Sequence, residues 1–331
     1  MKRLIVLSTA LLIALIACIK EQPMMVVAAG TGQAGFKDGF EAELNKPIRF
    51  TPYAENSIIF ADINNHAIRI ASIEGEVTTI AGGPDKEGYE DGPASLAKFK
   101  SPHGVAYDHK LNQVYVAGAS NHVIRIIHLS DKGEPQVTTL AGTPGIAGFR
   151  DGPVDSAMFN SPHALALGNN GEVIVADIGN ARVRMIKDGV VSTLAGTGEM
   201  STQDGVLEVA TFNYAMDLVM DGPDILLADA GSHLIRKIVV GKEVTTVALQ
   251  DTLSTPHGIA IDSDKNVYIA DMGTHRILKI DPKGALQAIA GTGKMDTTLA
   301  ALNKPAAVLV HGDNLWIADL NNHQIKVLPL K

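Results

Sequence analysis

The sequence predicts an all-β protein, a six-bladed β-propeller, on three observations. The stretch Thr255 to Gly291 holds four period-two apolar alternations, HGIAID, NVYIAD, RILKID and ALQAIAG, separated by the breaks SDK, MGTH and DPKG. Apolar residues alternating along β-branched runs mark half-buried strands, and Gly, Pro and Asp between them reverse the chain. Such a meander has two apolar faces and nothing of its own to cover them, so it requires copies on both sides. The copies are the second observation. Aligned on Ala270-Asp271, where the second strand ends, they fall at Ala61-Asp62, Ala117-Gly118, Ala176-Asp177, Ala228-Asp229 and Ala318-Asp319, about 40 to 60 residues apart, as propeller blades are. Third, the last copy stops after its third strand, at Ile325 to Lys331, while Met25 to Gly30 is a fourth strand with no blade before it. That strand is expected to complete blade six and close the ring, leaving no long sheet edge exposed.

Each blade repeats the same devices. Proline opens the first strand (Pro47, Pro102, Pro162, Pro256, Pro305), and an Asn-His-like pair occupies the turn after the second (Asn65-His66, Asn121-His122, Ser232-His233, Thr274-His275, Asn322-His323). Fourth strands end alike, in Ile80-Ala81-Gly82, Leu140-Ala141-Gly142, Leu194-Ala195-Gly196 and Ile289-Ala290-Gly291. Long connections join the blades, and their Asp-Gly-Pro followed by an apolar pattern suggests one helical turn with the aspartate near its start. The connection into blade five, Leu249 to Pro256, is the shortest.

Residues 1–17 read as a secretion signal, with Lys2 and Arg3 before an apolar run too short for a comfortable membrane span. It ends in Leu15-Ile16-Ala17-Cys18, which resembles the lipobox of bacterial lipoproteins; that resemblance implies lipidation of Cys18, a linker over 18–23, a propeller over 24–331, and a place in the bacterial cell envelope outside the cytoplasm. An ordinary cleaved signal with a chance cysteine is the alternative. Cys18 is the only cysteine, so an intramolecular disulfide is excluded. Without residues 1–17 the formal net charge moves from −8 to −10. Nucleic-acid binding, which rests on lysine and arginine neutralising phosphates, is therefore not expected.

PHGIAID, NVYIAD and THRILKI resemble NHL repeats, over roughly residues 24 to 331. The resemblance implies a six-bladed propeller of NHL type and says little about activity, because such repeats serve binding modules, sensors and enzymes.

Gly30-Thr31-Gly32-Gln33-Ala34-Gly35 fits G-x-G-x-x-G after a strand, but no βαβ unit follows, so it is read as an interblade loop. The aspartates ending second strands (Asp62, Asp177, Asp229, Asp271, Asp319) face Arg69, Arg184, Arg236 or Lys326 and read as scaffold, and the histidines of the Asn-His pairs as turn residues. What differs between copies is the better guide to a site. The position after the opening proline is Ile48, His103, His163, Met216, His257 and Ala306 in blades one to six. Innermost strands converge on the axis, so His103, His163 and His257 are candidate ligands to one metal at the channel mouth, where three neutral imidazoles leave an open position for acidified water. Histidines that merely fill the channel are the alternative.

This arrangement resembles the peptidylglycine amidating lyase propellers, whose zinc is held by histidines in Pro-His openings. The resemblance implies an arginine and a tyrosine near the metal, for which Arg49 and Tyr214 are the nearest candidates, although Ile48 stands where a third ligand is expected. No G-x-S-x-G elbow, H-E-x-x-H motif or cysteine pair is present.

The reading is a lipid-anchored, non-catalytic propeller that binds a protein, peptide or small molecule on its loop-bearing face, with His103, His163, His257 and Met216 as ligand-binding residues. The rival is a zinc- or calcium-dependent lyase or hydrolase working at the channel mouth. Acidic interblade loops (Asp38, Glu41, Glu43, Asp85, Glu87, Glu90, Asp91, Asp151, Asp155) are expected to favour a neutral or cationic partner. Contact with a membrane is expected only through the anchor.

Overall fold

A computed structural model describes residues 24–331; the expected signal segment, Cys18 and the expected linker lie outside the described residues. The chain forms six antiparallel sheets around one axis, a six-bladed β-propeller. The innermost strands are Pro47–Pro52, Pro102–Asp108, Pro162–Leu167, Ala215–Asp221, Pro256–Ile261 and Pro305–His311. Buried alanine, valine, isoleucine and phenylalanine fill the seams between adjacent blades. One such seam packs Ile48, Ile59 and Ile68 of blade one against Phe99, Val105 and Val116 of blade two.

The ring closes as the sequence implies. Val26–Ala29 pairs with Gln324–Pro329, Val26 opposite Val327 and Ala29 opposite Ile325, and so forms the outer strand of blade six. The Ala-Gly ending of fourth strands has a steric cause. At Gly30 (φ +93) and Gly82 (φ +83) an added Cβ would collide with the carbonyl oxygen of His323 or His66, and the left-handed backbone also favours glycine.

The repeat histidines do more than turn the chain. All lie in the left-handed region, and His66 (φ 52), His122 (φ 59), His233 and His323 each end a short 3₁₀ turn, whereas His275 ends a plain turn. There the Nδ1 of His66, His122, His275 and His323 accepts the backbone N–H of Ser101, Ser161, Lys304 and Lys46 in the next blade. Blade three has Ala181 at this position.

The interblade connections depart from the expected helical turn. Gly92–Pro93, Gly152–Pro153 and Gly205–Val206 first pair with the outer strand of their sheet, and only then does one turn follow, from Ala97 N to Pro93 O and from Ala157 N to Pro153 O. Covering the outer edge in this way blunts it against other chains. The aspartate does not cap the turn. Asp38 and Asp91 instead bind the buried guanidiniums of Arg69 (2.8 Å) and Arg125 (2.6 Å), Asp151 binds Arg184, and Asp204 binds Arg236 (2.7 Å). Phe36, Tyr89 and Phe149 lie over three of these guanidiniums at 4.9, 5.1 and 4.8 Å. Glu41, Glu90 and Glu87 pair with Lys37, Lys98 and Lys100. Most of the carboxylates expected to charge this face are therefore paired with basic side chains, although Arg69 and Arg184 each also serve a second aspartate, Asp62 and Asp177.

Candidate functional site at the channel axis

Each innermost strand carries a bulge just after its opening residue, and the bulged side chain reaches the axis. His163, Met216, His257 and Ala306 are unpaired in their ladders for this reason. In blade two the unpaired stretch spans His103 and Gly104. Blade one breaks the pattern. Ile48 pairs with Ala61 and Phe50 with Phe60, so the unpaired residue is Arg49, at φ 43. Alignment on the proline had put Ile48 on the axis. Ile48 is instead packed in the core at 2% exposure, and the bulge moves one residue along, so that the apolar seam takes the isoleucine while the equally buried Arg49 finds polar partners at the axis.

Arg49 closes the channel. Its Nη1 donates to Ala306 O (2.7 Å) and its Nη2 to Met216 O (2.7 Å) and His257 O (3.0 Å). These are edge carbonyls of three innermost strands that no neighbouring strand covers. Its Nε stands 3.4 Å from Asp217 Oδ1 in blade four. Asp217 in turn accepts the backbone N–H of Leu218 and of Ile259 in blade five. The carbonyls call for donors and the two amides for an acceptor, which favours the ion pair, while burial pushes Asp217 up and Arg49 down.

Above this pair stand the histidines. The rings of His103 and His163 are 4.2 Å apart, centroid to centroid, tilted by 46°. His103 Nδ1 lies 2.9 Å from Ser101 O and His163 Nδ1 3.0 Å from Ser161 O. A carbonyl only accepts, so each Nδ1 carries the proton, and a neutral ring then presents Nε2 as an acceptor. The same two serines give their N–H to His66 and His122, so one residue links each interblade histidine to an axial one. His257 differs, its Nδ1 donating to Ala306 O at 2.8 Å. With that proton committed, the 3.4 Å approach of Arg49 Nη1 to Nδ1 is a contact between two donors. Desolvation lowers His103 to about 4 and His257 to about 3, with the Arg49 charge adding to both; His163 falls well below its ordinary value through desolvation and the adjacent His103. All three rings are neutral at pH 7.

The structure thus brings His103 and His163 into contact, sets His257 beside Arg49, and leaves Met216 half-buried with its backbone carbonyl bound to Arg49. Tyr214 is 45% exposed at the opening of blade four. As a metal site the arrangement does not fit. His257 is turned to Ala306 O with a guanidinium beside it, and no group of three His, Cys, Asp or Glu gathers to hold an ion among the described residues. Asp217 was missed in the sequence, although it and Arg49 are the only charged residues second after the opening position.

Three similarities place this architecture. NHL repeat-containing protein 2 of Bos taurus is 29% identical over 337 residues, covering 84% of this chain and 46% of that relative. The chain spans about half the length of the curated relatives it matches first. Among solved structures, an auxiliary nutrient binding protein from Bacteroides thetaiotaomicron superposes with a TM-score of 0.65 at 14% identity, covering 92% of this chain and 76% of the other. A catalytically inactive histidine-to-alanine variant of virginiamycin B lyase from Staphylococcus aureus, with quinupristin, gives 0.55 at 14% identity over 88% and 84%. Likeness at that identity speaks for the fold alone. The family model described as the SMP-30/Gluconolactonase/LRE-like region matches residues 51–306, and the chain belongs to that family, as a six-bladed propeller of NHL type.

Proposed function

We propose that the loop-bearing mouth of the channel binds an uncharged or weakly basic small molecule or peptide, and that the protein is a binding module anchored through Cys18. The observation that carries the reading is the pair of adjacent, neutral imidazoles, His103 and His163, whose Nδ1 protons are committed to Ser101 and Ser161 and whose Nε2 atoms have no hydrogen-bond partner among the described residues. Two adjacent acceptors above a sealed floor suit a ligand that brings N–H or O–H donors, and the Met216 thioether adds a polarisable wall. The floor is Arg49, whose Nη donors are taken by carbonyls and whose Nε faces Asp217.

The anchor fits the same picture. Val26–Ala29 runs toward the face where Gly30 meets His323, so Met25 lies at the opposite face, and a lipidated Cys18 about 20 Å of extended chain away turns the mouth from the bilayer. The test is a thermal-shift and calorimetric screen of dipeptides and hydroxylated small molecules against the full chain and a His103→Ala/His163→Ala variant. Binding lost in the variant supports the site; hits indifferent to it remove the site. Incorporation of labelled palmitate, lost in Cys18→Ser, tests the anchor.

The second reading, a lyase or hydrolase, is favoured by one observation: a neutral imidazole with free Nε2 is the form a general base takes. Turnover of a bound compound, followed by mass spectrometry and abolished in the His163→Ala variant, would establish it.

A further inference from the structure

Arg49 divides the channel in two, and the half beyond it has its own chemistry. From Arg49 and Asp217 a cavity of about 210 Å³ runs toward the far face, past Ala166, Leu167, Val219, Ile261, Leu309 and Val310. Apart from Arg49 and Asp217 at its ceiling, its lining has no charged side chain.

One donor at the ceiling has no acceptor. Arg49 is committed, its Nε to Asp217 and its two other nitrogens to backbone carbonyls. Thr51, 7% exposed, lends its oxygen to the backbone N–H of Tyr107 at 3.0 Å, and its own proton finds no protein acceptor among the described residues. A buried donor left unmade is costly, so the ceiling favours a guest that brings an oxygen. The charge of the guest is limited as well. A carboxylate reaching Arg49 would stand beside Asp217, and an ammonium would stand beside the guanidinium.

We infer that this lower channel is a second binding site, distinct from the loop-side mouth, for an uncharged aliphatic molecule ending in a carbonyl oxygen. The apolar walls hold the chain, and Thr51 Oγ–H reaches the oxygen. The volume exceeds the roughly 150 Å³ that accommodates benzene in an engineered protein cavity, which admits a guest of about eight heavy atoms.

The test uses the full chain with 2-heptanone, heptanoate and heptylammonium as probes, read by calorimetry and ligand-observed NMR. Saturable binding of 2-heptanone, at least tenfold tighter than of either charged probe, is expected. Ala166→Phe fills the channel and should weaken 2-heptanone at least tenfold. Thr51→Val should weaken it several-fold, while Thr51→Ser, which keeps the hydroxyl, should restore it, so the pair decides the matter even if Ala166→Phe does not fold. No saturable binding to the folded wild-type chain, equal affinity for heptanoate, or affinity unchanged in both Thr51→Val and a folded Ala166→Phe would overturn the inference.

Discussion

Arg49 and Asp217 enter the channel from opposite blades, one and four, and face each other with Nε and Oδ1 3.4 Å apart. They are 4% and 7% exposed. Through Ala306, Met216, His257 and Ile259 the pair also engages the edges of blades four, five and six, so it acts as a tie across the ring.

Breaking the tie from one side should be severe. Arg49→Ala leaves a buried carboxylate without its cation and the carbonyls of Met216 and His257 without donors, a loss of about 3–5 kcal/mol. An Arg49→Leu/Asp217→Leu double variant should lose less than the sum of its single variants, because neither charge is then left alone. Urea unfolding measures both; a cost below about 1 kcal/mol for Arg49→Ala would show that the tie contributes little.

The axial histidines set a pH dependence. His103 titrates at about 4 in the folded protein, against about 6.5 in an unfolded chain. Between these values the unfolded state binds more protons, so the stability that neutral His103 contributes is complete above pH 6.5 and is lost as pH falls toward 4. Wild-type minus His103→Gln stability, in which the carboxylates common to both cancel, should therefore decline from pH 7 to pH 4. A difference independent of pH would show that His103 is not held neutral.

The interblade histidines should each matter for stability. His122→Ala removes the acceptor of the Ser161 N–H, at a cost of about 1–3 kcal/mol, and puts alanine in a left-handed conformation that histidine and asparagine adopt more readily. His122→Asn should cost less than alanine, since asparagine tolerates that backbone. Equal losses for the two variants in urea unfolding would mean that the backbone strain is immaterial.

Closure depends on the first strand described. Deleting residues 24–30 removes the partner of Gln324–Pro329 and the buried Met25, Ala28 and Ala29. The truncated chain should melt lower and associate through the bared edge, seen as larger species in light scattering after size-exclusion chromatography. A monomer with unchanged Tm would contradict the closed ring.

The amino-acid sequence by itself determined the six blades, the closure by Met25 to Gly30 and the scaffold role of the Asp-Arg pairs. Each is legible because it rests on strand alternation and turn chemistry, which act over a few residues and recur in every copy. It also made His103 and His163 stand out, by their departure from Ile48, Met216 and Ala306 at one repeated position. Only the tertiary structure decided what the axis contains. Whether blade one sends Ile48 or Arg49 inward depends on which side chain the seam against blade two can bury, and the seam accepts Ile48. The Arg49–Asp217 contact exists only because the ring closes, bringing together residues from opposite blades. The free Nε2 atoms follow from the carbonyls of Ser101 and Ser161, whose left-handed backbones, at φ 46 and 52, turn them toward the imidazoles. A repeat pattern shows where side chains recur; which of them meet across the axis is settled by packing.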